Sequence, residues 1–105
     1  MKIVEGNALE ALTVGFSHFV DIGKEKDAVI YYETERNVRM LLPDGAHLSG
    51  EWKQVEGGYH VAWKGGPEGK WQISSEPGVL AYIDPSGKRA GTITRIMPGN
   101  AGNLT

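Results

Sequence analysis

Residues 48–63 read LSGEWKQVEGGYHVAW and give the clearest indication of the fold. On both sides of Gly57-Gly58, every second residue is apolar or glycine: Leu48, Gly50 and Trp52 before the pair, and Tyr59, Val61 and Trp63 after it. Such alternation around a short turn is typical of two antiparallel strands with one face toward the core and the other toward solvent. We therefore predict a β-hairpin with Trp52 and Trp63 on its inner face.

The same pattern of alternating segments separated by turns continues on both sides of this hairpin. Turn sequences rich in Gly, Pro and Asp recur at 43–45, 56–58, 65–67, 76–78 and 84–87. They separate predicted strands at 28–33, 36–43, 46–55, 59–64, 70–75, 79–84 and 89–97. Together with a strand near 14–21, these make about eight short antiparallel strands, enough to close a barrel around one small ligand. The predicted fold is all-β, a small antiparallel meander barrel that forms a single domain over residues 1–105.

The first 27 residues support two interpretations. Leu9, Leu12, Phe16 and Phe19 recur at helical spacing, and Asn7 with Glu10 resembles a capping box. From residue 14 onward, however, β-branched and aromatic residues alternate with others, which favours a strand. We predict a short helix or irregular turn at 7–12, a strand near 14–21 and a frayed tail at 100–105.

Composition excludes several classes of function. The net charge is −2 and the basic residues are scattered, so no basic footprint for nucleic acid is visible. The chain has no cysteine, which excludes disulfides, thiolate metal ligands and a cysteine nucleophile. There is no apolar run of about 20 residues and no secretory leader at the N-terminus. These features predict a cytoplasmic protein without membrane segments, unless a leader has been removed, and they indicate no cofactor and no metal.

A candidate ligand site follows from the inner faces of the predicted strands. These faces carry Met40, Trp52, Tyr59, Trp63 and Trp71. Such a set lines a pocket for an apolar or aromatic molecule, or it fills the core of a small barrel. The two interpretations are compatible if one end of the barrel is packed and the other is open. The leading hypothesis is a barrel that binds a small apolar or aromatic ligand.

Histidine supplies the alternative hypothesis of an enzyme. On a strand at 14–21, His18 shares a face with Val20 and is either a general base or a structural histidine. With Tyr82, it is the first candidate for a small isomerase, cyclase or lyase. His47 and His60 fall on outward faces, and no Asp or Glu accompanies them at a spacing that indicates a metal site.

A third hypothesis, an interaction module, comes from the strand at 79–84, which is apolar on both faces. We predict that Val79 and Ile83 fill the core, so that Leu80 and Tyr82 need another cover. That cover is the N-terminal segment or a second subunit, and we predict a homodimer.

Three short motifs resemble those of small bacterial lipocalin-like (calycin) domains. They are Leu48-Ser49-Gly50-Glu51-Trp52, the aromatic strand Gly58–Trp63 and the hairpin Asp84-Pro85-Ser86-Gly87-Lys88. The resemblance covers residues 28–99 and implies a barrel with an apolar cavity. In true lipocalins the G-x-W motif lies on the first strand, whereas here it lies in mid-chain. In lipocalins a late arginine packs over the motif tryptophan, and Arg95 is the residue that could do so over Trp52, although parity leaves this open. The resemblance carries over no catalytic residue.

Overall fold

The computed structural model describes residues 2–104, which form nine strands and one helix. In chain order the elements are β1 (Lys2–Val4), α1 (Gly6–Thr13), β2 (Phe16–Asp21), β3 (Ala28–Tyr32), β4 (Asn37–Leu41), β5 (His47–Val55), β6 (Gly58–Trp63), β7 (Glu68–Glu76), β8 (Val79–Ile83) and β9 (Arg89–Pro98). Each strand from β2 to β9 pairs antiparallel with the next, and β9 pairs back with β2. The predicted eight-stranded meander barrel is therefore confirmed.

The inner face of the barrel follows the alternation seen in the sequence. The buried core comprises Leu9 from α1 together with Val20, Tyr32, Val38, Trp52, Tyr59, Val61, Ile73 and Tyr82 from the strands. The glycine of the G-x-W motif has a steric role, because a Cβ on Gly50 would collide with the Ala62 carbonyl oxygen of β6. Residue 50 is therefore glycine where β5 and β6 approach each other most closely.

The N-terminal segment closes one end of the barrel. Strand β1 was not predicted; it pairs with β7 at Ile73–Ser75, beyond the part of β7 that pairs with β6. Helix α1 confirms the predicted short helix, but Asn7 is not its cap. Glu5 is the N-cap residue and makes no side-chain capping bond. No helix within residues 2–104 is long and apolar enough to cross a membrane.

A glycine turn connects α1 to β2. Gly15 has φ +83°, the left-handed conformation that commonly ends helices, and its N–H donates to the Tyr32 carbonyl. The turn brings the last turn of α1 next to the start of β2. As a result, the Leu12 carbonyl lies within reach of His18.

Two predictions about the periphery of the fold are wrong. Residues 100–104 are not frayed: the Asn100 side chain bonds both the N–H and the carbonyl of Leu104, which is only 4% exposed. Residue 105 lies outside the described residues. The prediction for β8 is also wrong for Leu80 and Tyr82, because Tyr82 belongs to the core and Leu80 packs against it, whereas Ile83 is buried as predicted.

This placement of the two side chains removes the reason for which a covering subunit was predicted. Within a single chain, Tyr82 is buried in the core and Leu80 is half-buried against it. The homodimer stays a prediction to which this face lends no support.

Candidate ligand cavity

The barrel interior contains a cavity of about 210 Å³. Three of the lining residues mark where it lies: Ile22 follows β2, Leu42 follows β4, and Ala90 is at the start of β9. These positions belong to the end of the barrel where β2–β3, β4–β5, β6–β7 and β8–β9 are joined. Helix α1 precedes β2 and therefore lies at the opposite end. We call these the open end and the helix end.

The cavity wall is uncharged. Its lining residues are Val20, Ile22, Ala28, Ile30, Tyr32, Val38, Met40, Leu42, Tyr59, Val61, Trp63, Trp71, Tyr82, Ala90 and Gly91. They include no Asp, Glu, Lys or Arg, so a charged molecule would lose its hydration here without gaining a counter-charge. Such a wall is suited to an uncharged, mostly apolar molecule.

Four of the five residues predicted for the ligand site line this cavity. They are Met40, Tyr59, Trp63 and Trp71. The fifth, Trp52, lies outside the lining and belongs to the packed part of the core. Its ring makes edge-to-face contacts with Tyr32 at 5.1 Å and with Tyr59 at 5.8 Å between ring centroids. Its Nε1 donates to the Thr34 carbonyl at 2.9 Å.

A chain of hydrogen bonds connects tyrosines that line the cavity to His18 and to the Leu12 carbonyl of α1. The Tyr32 and Tyr82 hydroxyl oxygens are 2.7 Å apart, and the Tyr82 hydroxyl is 2.6 Å from His18 Nδ1. On the other side of the ring, His18 Nε2 is 2.8 Å from the Leu12 carbonyl oxygen. Tyr59 joins the chain more loosely, with its oxygen 3.4 Å from that of Tyr32. The four side chains form a connected polar network in an otherwise apolar interior, and each has at least one hydrogen-bond partner.

Burial sets the ionisation of this network. Loss of hydration lowers the pKa of His18 from 6.5 to about 4, although the hydrogen bond to Leu12 partly opposes the effect. Burial likewise raises the pKa of Tyr32, Tyr59 and Tyr82 well above 10. All four side chains are therefore uncharged at neutral pH.

The geometry around His18 does not favour its predicted role as a general base. The ring is fully buried, both nitrogens are hydrogen bonded, and it is absent from the cavity lining. A base must reach the proton that it removes. His18 instead orients Tyr82, the other candidate, which does line the cavity.

The other histidines lie on the outside of the barrel, as predicted. His60 Nε2 is 3.3 Å from a Glu68 carboxylate oxygen, and His47 is exposed. Within residues 2–104, no group of three or more His, Cys, Asp or Glu side chains is placed to hold a metal ion.

A larger concavity lies on the outer face of β4, β5 and β6. It measures about 580 Å³ and is lined in part by Glu33, Arg39, Glu51 and Lys64. Arg39 and Glu33 form an ion pair at 3.4 Å, with side chains a third or more exposed. Solvent screens such a pair, and the groove has charges of both signs, so it selects no ligand class. We therefore take the interior cavity as the candidate site.

Arg95 does not pack over Trp52, the arrangement that the calycin resemblance left open. Its guanidinium carbon lies 4.1 Å from the centroid of the Phe19 ring, a cation–π contact between β9 and β2. Comparisons with known proteins give no match to this chain among family models, curated proteins or solved structures. The calycin relationship stays a prediction.

Sequence reasoning missed Tyr32, which joins the cavity to the His18 network. A signal was present: Ala28, Ile30 and Tyr32 alternate on one strand, and all three line the cavity. The role of the Leu12 carbonyl could not be predicted from the sequence. Every residue has a backbone carbonyl, and only the turn at Gly15 places this one within reach of His18.

Proposed function

We propose that this protein binds an uncharged, apolar molecule of one or two rings inside the barrel. The observation that carries the proposal is a cavity of about 210 Å³ with no charged residue in its wall. An engineered apolar cavity of about 150 Å³ in another protein binds benzene. A cavity of the present size suits a ring system between benzene and naphthalene.

The wall chemistry supports an aromatic occupant. Trp63 and Trp71 offer ring faces and edges for stacking or edge-to-face contacts. Met40 adds a polarizable, flexible side chain that adapts to the shape of a ring. A carboxylate, ammonium or phosphate group would find no opposite charge in this wall.

The three tryptophans provide a direct test. We propose to titrate ¹⁵N-labelled protein with indane, an uncharged bicyclic hydrocarbon, and to follow the three indole N–H signals by NMR. We expect the Trp63 and Trp71 signals to shift and to saturate, while the signal of Trp52 moves least because its ring lies outside the cavity. Unchanged spectra for indane, benzene and naphthalene would refute the proposal.

A matched pair of variants locates the binding. Ala28 lines the cavity, whereas the half-buried Ala62 lines the outer groove. We expect Ala28→Phe to fill the cavity and abolish the indane-induced shifts, and Ala62→Phe to leave them as in the wild type. Loss of the shifts in Ala62→Phe alone would place binding in the outer groove.

The two alternative functions have less support. An enzyme based on His18 requires the ring to reach a substrate, and both of its nitrogens are already bonded. An interaction module based on Leu80 and Tyr82 requires both residues on the outside of the barrel, whereas Tyr82 is buried in the core and Leu80 is half-buried against it.

A further inference from the structure

The hydrogen atoms of the buried network can be assigned one by one, starting at Leu12. A carbonyl oxygen only accepts, so His18 Nε2 carries a hydrogen and donates it to Leu12. The ring is neutral at pH 7, so Nδ1 is an acceptor and Tyr82 donates to it. With its own hydrogen committed, Tyr82 can only accept from Tyr32 across their 2.7 Å contact. Each of these three bonds has one allowed direction.

This assignment leaves one hydroxyl hydrogen of the network uncommitted. Tyr32 has a single hydrogen, and the short bond to Tyr82 uses it. The remaining contact, 3.4 Å between the Tyr32 and Tyr59 oxygens, exceeds the roughly 2.5–3.0 Å of an ordinary O–H···O bond. The hydrogen of Tyr59 is therefore available, and Tyr59 lines the cavity.

Two other lining residues, Trp63 and Trp71, each carry an indole N–H donor. Within residues 2–104, the indole nitrogen of Trp52 donates to Thr34, but no such bond joins Trp63 or Trp71 to another residue. An indole nitrogen donates and does not accept. The side chains of Tyr59, Trp63 and Trp71 can thus each offer a donor, and the two indole nitrogens add no acceptor.

We propose that the ligand carries one uncharged acceptor oxygen, such as a ketone or ester carbonyl, and that Tyr59 Oη donates a hydrogen bond to it. This inference rests on the proposed function, since it specifies the ligand of the same cavity. Tyr59 is the specificity-determining residue because it discriminates between ring systems of equal size. The rest of the wall contributes apolar contact that is common to all of them.

Three bicyclic probes of similar size test this inference. Indane has no polar group, 1-indanone has only an acceptor, and indole has only a donor. Their dissociation constants are measured by NMR titration for the wild type, for Tyr59→Phe and for Tyr31→Phe, the same change on the outward-facing neighbour of Tyr32. We expect Tyr59→Phe to weaken 1-indanone relative to indane by about fivefold or more, because the buried carbonyl loses its donor.

The controls separate the two proposals. Tyr31→Phe should leave the ratio of the 1-indanone and indane affinities as in the wild type, and Tyr59→Phe should weaken indole no more than indane. An unchanged 1-indanone to indane ratio in Tyr59→Phe overturns the role of Tyr59 while binding itself stands. If none of the three probes binds to the wild type, the proposed function fails and the inference fails with it.

A second measurement needs no variant. The carbonyl stretch of bound 1-indanone is recorded by difference infrared spectroscopy on the wild-type protein. Donation from Tyr59 lowers this frequency below its value in cyclohexane. A frequency equal to that in cyclohexane contradicts the proposal, even if Tyr59→Phe does not fold.

Discussion

The two ends of the barrel interior differ although the same alternation of residues builds both. At the helix end, Leu9 and His18 are fully buried and large rings such as Tyr32 and Trp52 pack against one another. At the open end, the lining includes the small residues Ala28, Ala90 and Gly91, and a cavity of about 210 Å³ remains. Alternation thus determines which side chains face inward. The sizes of these side chains and the position of α1 determine whether the interior is filled.

The two ends also differ in their polar chemistry. At the helix end, His18, Tyr82 and Tyr32 satisfy one another through short hydrogen bonds. Toward the cavity, the chain finishes at Tyr59 with a contact of 3.4 Å. The helix end is therefore closed by packing and short hydrogen bonds, whereas the open end keeps an apolar cavity.

Truncating Leu9, the core side chain that α1 contributes at the helix end, should have the largest effect on stability. Leu9 is 0% exposed in the core, so Leu9→Ala leaves a cavity and should lower the free energy of unfolding by about 2–5 kcal/mol. Leu42 is half-buried at the open end, and Leu42→Ala should cost at most about 1 kcal/mol. Urea denaturation measures both values. Equal losses would contradict the contrast between the two ends.

Acid should weaken the helix end through His18. Burial lowers the pKa of His18 to about 4, whereas in the unfolded chain it is 6.5. As the pH falls below about 6.5, the unfolded chain binds the proton first, so stability decreases until about pH 4. At pH above 6.5 the contribution of His18 is fully present. We expect the free energy of unfolding to fall by about 2 kcal/mol between pH 7 and pH 5 from this group.

The control for this pH dependence is the exposed His47. The variant His47→Gln should lose the same stability between pH 7 and pH 5 as the wild type. An NMR titration that gives His18 a pKa of 6 or above in the folded protein would refute the prediction.

The hydroxyl of Tyr82 should contribute less than Leu9 does. Tyr82→Phe removes the donor to His18 Nδ1 and the acceptor for Tyr32, which leaves His18 Nδ1 unpaired and Tyr32 with only its 3.4 Å contact to Tyr59. We expect a loss of about 1–2 kcal/mol in urea denaturation. Tyr31→Phe, the same change on the outward face of β3, should cost less than about 0.5 kcal/mol. If the two variants lose equal stability, the buried chain is not the stabilising element.

The sequence allows the barrel to be predicted, but not which part of its interior is filled by side chains. Period-two alternation and glycine-rich turns are local signals, so strands such as Ala28–Tyr32 and Gly58–Trp63 are predicted to within a residue or two. Strand β8 shows where alternation fails to assign the two faces of a strand. Its residues are apolar on both faces, so alternation alone does not tell whether Tyr82 or Ile83 points into the barrel.

The site depends on contacts between residues that are distant in sequence. Met40, Tyr59, Trp63 and Trp71 are predictable because they share the inner face of neighbouring strands. The bond between His18 and Tyr82 joins residues 64 positions apart, and only barrel closure between β2 and β9 brings them together. The separation of Trp52 from the cavity likewise depends on the volume left after packing, which alternation does not encode.

Filling the cavity should have the smallest effect on stability and thereby test the contrast most sharply. Ala28 and Ala81 are both 2% exposed, but only Ala28 lines the cavity. A phenyl ring at residue 28 can enter empty space, so Ala28→Phe should change the free energy of unfolding by less than about 1 kcal/mol. At residue 81 the same ring must displace packed atoms, which costs about 1–3 kcal/mol. Urea denaturation of the two variants compares them directly. Equal destabilisation would mean that the interior beside Ala28 collapses in solution, and the open end would then have no empty space to accept a ring.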